Sequence, residues 1–107
     1  MSTYLLTYRM PESYAPGGAD VRAAWNAWFE SLGASLIDRG NPVFESRPLG
    51  ECGTGTQPGG YSLIAADDLD TAVRLAGGCP GLRDGAGVEV GVITELNRGP
   101  HPLDVVE

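Results

Sequence analysis

Residues 21–32 constrain the fold more than any other stretch. At roughly 100° per residue, Val21, Ala24, Trp25, Trp28, Phe29 and Leu32 share one side of a helix, while Arg22, Asn26 and Glu30 take the opposite side. A stripe holding two tryptophans and a phenylalanine has to be buried, so Trp25 and Trp28 read as core residues before they read as ligand stackers. Asp20 is placed to cap this helix and Gly33 to stop it.

The segments around it read as strands. Tyr4 to Arg9 is rich in β-formers and bounded by Pro11, with Tyr4, Leu6 and Tyr8 on one face and Leu5, Thr7 and Arg9 on the other. Ala34 to Ile37 reads as a second strand, broken by the turn residues 38–42 and continued after a bend over Val43 to Arg47. Residues 50–60 are glycine-rich and read as a loop, after which Gly60 to Ala66 forms a third strand. A second helix opens at Asp67-Asp68-Leu69-Asp70 and ends at Gly77-Gly78, with Leu69, Ala72, Val73 and Ala76 on one face. Val88 to Leu96 is the fourth strand.

The order βαββαβ predicts an α+β, ferredoxin-like domain: a four-stranded antiparallel sheet with both helices on one face. Its expected core includes Trp25, Trp28, Phe29, Leu69, Val73, Val90 and Val92. The expected helix-free face carries Leu5, Ile64 and Ile93 with Thr7, Ser62 and Glu89. The 107 residues are read as one domain, with its core at about 3–96 and a tail at 97–107.

Charge narrows the partners. All seven basic residues are arginine, against fourteen acidic ones, for a net charge of −7. Such a chain repels phosphate, so neither nucleic acid nor an anionic membrane is an expected partner. No apolar run reaches the roughly 18 residues of a membrane span, and Met1-Ser2-Thr3 does not start a signal peptide, so the expected location is cytoplasmic. There the thiols Cys52 and Cys79 are expected to be reduced. The absence of lysine beside abundant glycine and alanine points to a GC-rich bacterial genome.

Several motifs are better explained by structure than by chemistry. Gly53-Thr54-Gly55 lacks the third glycine and the following helix of a dinucleotide loop, and no lysine follows it. Asp67, Asp68 and Asp70 sit where a helix N-terminus favours carboxylates, so no metal is expected there. One histidine and two distant cysteines do not make a zinc site. His101, the sole imidazole, stands in a tail between Pro100 and Pro102. It pairs with Cys52 as base and nucleophile only if that tail folds back. The polar strand residues are more informative. Arg9 and Glu89 are expected on neighbouring strands and within reach of each other, with Asp38, Arg39, Glu45 and Arg47 as a second charged set.

The run Gly60-Tyr61-Ser62-Leu63-Ile64-Ala65-Ala66-Asp67-Asp68-Leu69-Asp70-Thr71-Ala72 resembles the YCII-related (DGPF-type) domain family, in which a glycine-led apolar strand runs into A-x-D-L-D-x-A. Ala76, Cys79-Pro80 and Gly87-Val88-Glu89-Val90 resemble the family's helix end and last strand. Tyr4 to Tyr8, Trp25, Trp28 and Gly33 fit its first half, so the resemblance covers about residues 3–95. It implies a dimeric α/β barrel, with two ferredoxin-like sheets facing each other and a cleft between sheet and helices or between subunits. Some related proteins act on lactones or chlorinated hydroquinones, and one branch has a His–Asp pair. The DGPF tetrapeptide itself is absent, and Arg22 stands where a histidine near the first helix would be.

These readings lead to a homodimer that binds a small molecule or serves as an accessory protein, without a cofactor. The alternative is a cofactor-free lyase or isomerase acting on small aromatic-derived compounds or lactones. Arg9, Asp38, Tyr61 and Glu89 are the candidate ligand-binding residues. Apolar residues on the open face ask for a second subunit, with Leu103, Val105 and Val106 of the tail as a clasp. A His–Asp mechanism is not expected, because the turn around Asp38 reads as solvated and sets Arg39 beside it, poor surroundings for a general base.

Overall fold

The computed structural model describes residues 1–13 and 17–96. The first strand, β1 (Ser2–Pro11), buries Tyr4, Leu6, Tyr8 and Met10 and leaves Leu5, Thr7 and Arg9 half-buried on the other face, as strand alternation requires. It is followed by α1 (Ala19–Leu32), β2 (Leu36–Asp38), β3 (Thr56–Ala66), α2 (Leu69–Ala76) and β4 (Gly87–Val92). The sheet order is β2-β3-β1-β4, and every neighbouring pair is antiparallel. This is the ferredoxin-like α+β arrangement that the sequence pattern predicts.

Both helices lie over the face that carries Tyr4, Leu6 and Tyr8. The Tyr8 ring meets Trp25 edge-on at 5.0 Å and Trp28 at 6.3 Å, while Trp28 and Phe29 lie 5.1 Å apart. The Trp28 indole N–H donates to the Leu75 carbonyl at 3.3 Å and so ties α1 to α2. Asp68 caps α2, its carboxylate accepting from the Thr71 amide at 2.8 Å. That hydrogen bond holds the Asp68 carboxyl below its ordinary pKa.

The structure corrects several expectations. Helix α1 starts at Ala19 behind Gly18, so Asp20 sits in its first turn rather than at its cap. Residues 43–47 form no strand. The Asp38 carboxylate accepts from the Gly40 amide at 2.8 Å, which turns the chain, and only a Pro42–Gly60 bridge continues β2. Strand β3 begins at Thr56, inside the glycine-rich stretch, because β1 runs on past an irregularity at Tyr8/Arg9 and pairs Arg9 to Pro11 with Pro58 to Thr56. Strand β4 ends at Val92 instead of Leu96.

Two corrections concern faces. Tyr4 pairs with Ile64 and Leu6 with Ser62, which puts Ile64 and Ser62 on the helix side, where both are fully buried. The open face instead carries Leu63, Ala65 and Tyr61 beside Leu5 and Thr7. Helix α2 buries Ala72 and Ala76 and leaves Leu69 and Val73 about half exposed (49% and 51%). Alanines on the inner side let the helix approach the sheet more closely than leucine or valine would allow. Val92, at the end of an edge strand, is 54% exposed and not a core residue. Trp28 and Phe29 are buried, and Trp25 and Val90 pack against the core half-buried. His101, Leu103, Val105 and Val106 lie outside the described residues.

The inward face of β3 and the outward side of α2 are testable together. Ile64→Ala should cost about 2–5 kcal/mol in urea denaturation, whereas Val73→Ala should stay within about 0.5 kcal/mol. Equal losses would contradict these placements.

Candidate functional site

A cleft opens between the second half of β1, the first half of α1, residues 39–44 and the start of β3. Its volume is about 480 Å³, within the usual size of small-molecule sites. Two glycines let residues 39–44 lie this close to β3. Gly40 has φ +76°, and a Cβ there would fall on the Tyr61 carbonyl oxygen. Gly60 has φ +146°, and a Cβ would sit 2.9 Å from the Asn41 carbonyl oxygen. With both side chains absent, the Tyr61 amide donates to the Asn41 carbonyl at 3.3 Å and the Val43 amide to the Gly59 carbonyl at 3.1 Å.

Aromatic side chains dominate the inner wall. Tyr8, Trp25 and Phe29 line the cleft, and Phe44, 72% exposed, stands at its edge. Helix periodicity puts Trp25 and Phe29 four residues apart on one side of α1. Strand parity puts Tyr8 beneath them.

Beneath the cleft runs a chain of polar groups. The Tyr8 hydroxyl donates to Ser62 Oγ at 2.8 Å, and the Ser62 hydroxyl donates to the Arg39 carbonyl at 2.6 Å. Ser62 is fully buried in an apolar strand, and these two bonds satisfy its hydroxyl. Burial pushes the Tyr8 phenol well above its ordinary pKa, against the lowering effect of the Ser62 hydrogen bond. Tyr8 therefore keeps its proton and is not a general base near neutrality.

The Arg39 side chain extends from this anchored carbonyl to the cleft mouth. Its guanidinium lies 4.6 Å from the Phe29 ring centroid, and Nη1 donates to Asn26 Oδ1 at 2.8 Å. Arg22 is the second cation of the lining. Asn41 Nδ2 donates to the Tyr61 hydroxyl at 3.3 Å.

Of the four residues singled out from sequence, only Tyr61 lines this cleft. Asp38 directly precedes the lining residue Arg39, with its carboxylate held in the turn to Gly40. Arg9 and Glu89 stand on the open face of the sheet and do not meet. Arg9 is paired with Gly87 in register, and its guanidinium donates to Thr56 Oγ1 and the Thr56 carbonyl at 3.2 and 3.1 Å. Sequence reasoning named Arg39 only within a charged set around β2 and did not place Arg22, Tyr8 or Ser62 in a site. The one usable signal was a serine at a core-parity position of β3.

Cys79 is buried, which raises its thiol pKa, and Cys52 is exposed with Sγ 3.3 Å from the Leu49 carbonyl; both are free. Among the described residues, no cluster of His, Cys, Asp and Glu could hold a metal ion. Among them, too, no helix is long and apolar enough to cross a membrane.

The polar chain makes two predictions. Ser62→Ala should cost about 1–3 kcal/mol in chemical denaturation, because the Tyr8 hydroxyl loses its partner inside the core. A raised phenol pKa in the folded state means that Tyr8's contribution is complete below the unfolded value of about 10 and fades as pH rises above it. Stability followed by urea midpoints should therefore fall above pH about 10, and Tyr8→Phe should flatten that fall.

No protein-family model matches the chain, and no curated protein matches it. Among solved structures it is similar to the 5-chloro-2-hydroxyhydroquinone dehydrochlorinase TftG from Burkholderia phenoliruptrix AC1100, in complex with 2,5-dihydroxybenzoquinone. The match has a TM-score of 0.51 and 25% sequence identity, and it covers 92% of this chain and 97% of that one. This likeness supports a related small α/β family and agrees with the ferredoxin-like fold described above.

Proposed function

We propose that this protein binds a small planar ring compound in the cleft between β1, α1 and residues 39–44, and that it is a YCII-like domain. The observation that carries the reading is the aromatic wall of Tyr8, Trp25 and Phe29 around a space of about 480 Å³. Aromatic walls favour flat ligands, through stacked and edge-on contacts as well as area burial. Support for the YCII-like assignment comes from the Gly60–Ala72 motif, each part of which has a structural role. Gly60 admits the 39–44 segment, Ser62 and Ile64 face the core, Asp68 caps α2, and Ala72 is the buried contact of that helix. The quinone complex of TftG points to the same kind of ligand.

The reading includes a single-domain homodimer in the cytoplasm. The open sheet face, with Leu5, Leu63, Ala65 and the 41%-exposed Ile93, is apolar enough to favour a twofold partner. Two free cysteines fit a reducing compartment. Light scattering at micromolar concentration should give twice the chain mass of 11.2 kDa, and Leu63→Arg should halve it. A monomeric wild type would overturn the dimer.

The test of the ligand is titration with 2,5-dihydroxybenzoquinone, followed by calorimetry. A Cys52→Ser background removes the exposed thiol that quinones attack. Saturable binding is expected, weakened about fivefold or more by Trp25→Ala through loss of ring contact. Absence of binding, or binding indifferent to Trp25, would refute the cleft.

The second reading is a cofactor-free lyase, favoured by the dehydrochlorinase named for TftG. Chloride release from a chlorinated hydroxyhydroquinone, measured with the wild type, separates the two: binding without release supports the binding protein.

A further inference from the structure

We infer that the cleft selects an anionic ring, and that Arg39 is the residue that reads its charge. The inference rests on the ring-binding cleft proposed above and names the class of compound it takes. Its basis is how charge is distributed over this chain. The sequence holds fourteen acidic residues and seven arginines, yet the described residues lining the cleft include Arg22 and Arg39 and no aspartate or glutamate. A protein of net charge −7 therefore presents a cationic mouth to this aromatic space. Such an arrangement favours an anionic ring over a neutral one and opposes binding of a cation.

Arg39 is also held in place. Its backbone carbonyl is anchored by Ser62, its Nη1 by Asn26, and its guanidinium lies over Phe29. These contacts use one of five N–H donors, so the remaining edge of the planar fork can meet a carboxylate or an ionised ring hydroxyl. Because the guanidinium is already ordered, little side-chain freedom is lost when the anion arrives. Stacked on Phe29, one wall of the cleft, it stands where a substituent at the rim of a bound ring would come. Ser62 and Tyr8 are positioning residues for this cation, since they hold the Arg39 carbonyl from below.

The test uses a matched pair of probes, 2,5-dihydroxybenzoate and 2,5-dihydroxybenzamide, which differ in charge and hardly in shape. Calorimetry with the full chain at low salt should show the carboxylate binding about tenfold or more tightly than the amide. That advantage should shrink as salt is raised, because the cleft mouth is open to solvent. Arg39→Gln should bring the carboxylate down to the level of the amide, with a much larger loss for the carboxylate than for the amide. Arg39→Lys should keep part of the preference, as a charge without the planar fork. Urea midpoints near that of the wild type confirm that the variants fold. Equal binding of both probes, or an equal loss for both in Arg39→Gln, would overturn the inference while leaving the ring-binding cleft standing. If neither probe binds, the cleft reading itself fails, and the charge selection fails with it.

Discussion

The hydrogen-bonded chain from Tyr8 through Ser62 to the Arg39 carbonyl joins three parts of the molecule that are distant in sequence. It crosses from β1 to β3 and on to the segment after β2, with donor–acceptor distances of 2.8 and 2.6 Å. A serine hydroxyl sealed in an apolar core costs stability unless both its donor and its acceptor roles are filled. Here each role has one partner, so the three elements are held in one arrangement. Residues 39–44 are thereby fixed over the sheet edge, and the cleft exists because they are.

Above that chain the aromatic side chains divide into two tasks. Trp28 is sealed inside and ties α1 to α2 through its indole N–H. Trp25 is half-buried, in contact with Tyr8 on one side and the cleft on the other. They stand three positions apart on the same helix, which turns one ring inward and leaves the other partly toward the cleft. A single amphipathic stripe thus supplies both the core and a wall of the cleft. The guanidinium over Phe29 extends the wall with a cation, and the described lining holds no acidic side chain.

Comparison with TftG sharpens the chemical question more than it answers it. The likeness spans nearly the whole of both chains at 25% identity and supports a related fold. Catalysis asks for a group that exchanges protons near neutral pH. Tyr8 keeps its proton, and the Asp38 carboxylate is occupied in a turn away from the cleft lining. The proposed binding of a flat ligand asks for no such group.

The amino-acid sequence by itself determined the order of strands and helices, because the helical stripe at 21–32, the alternation in β1 and the Asp68 cap are local patterns with local causes. It determined the Trp28 and Phe29 core for the same reason. Only the tertiary structure decided which face of β3 turns inward: a strand's parity shows that Ile64 and Ser62 share a face, but not which face the helices cover. It also decided that α2 lies on its alanines and not on Leu69 and Val73, since close approach to the sheet outweighed hydrophobicity of the larger side chains. The site was the least legible part. Arg39 and Ser62 stand 23 residues apart and meet through one hydrogen bond that no spacing encodes. Arg9 and Glu89, adjacent by strand order, stay apart because register pairs Arg9 with Gly87 and Thr56 takes its guanidinium. Local periodicity reports an element and its faces, while a site depends on contacts between elements, and those are set by register and close approach.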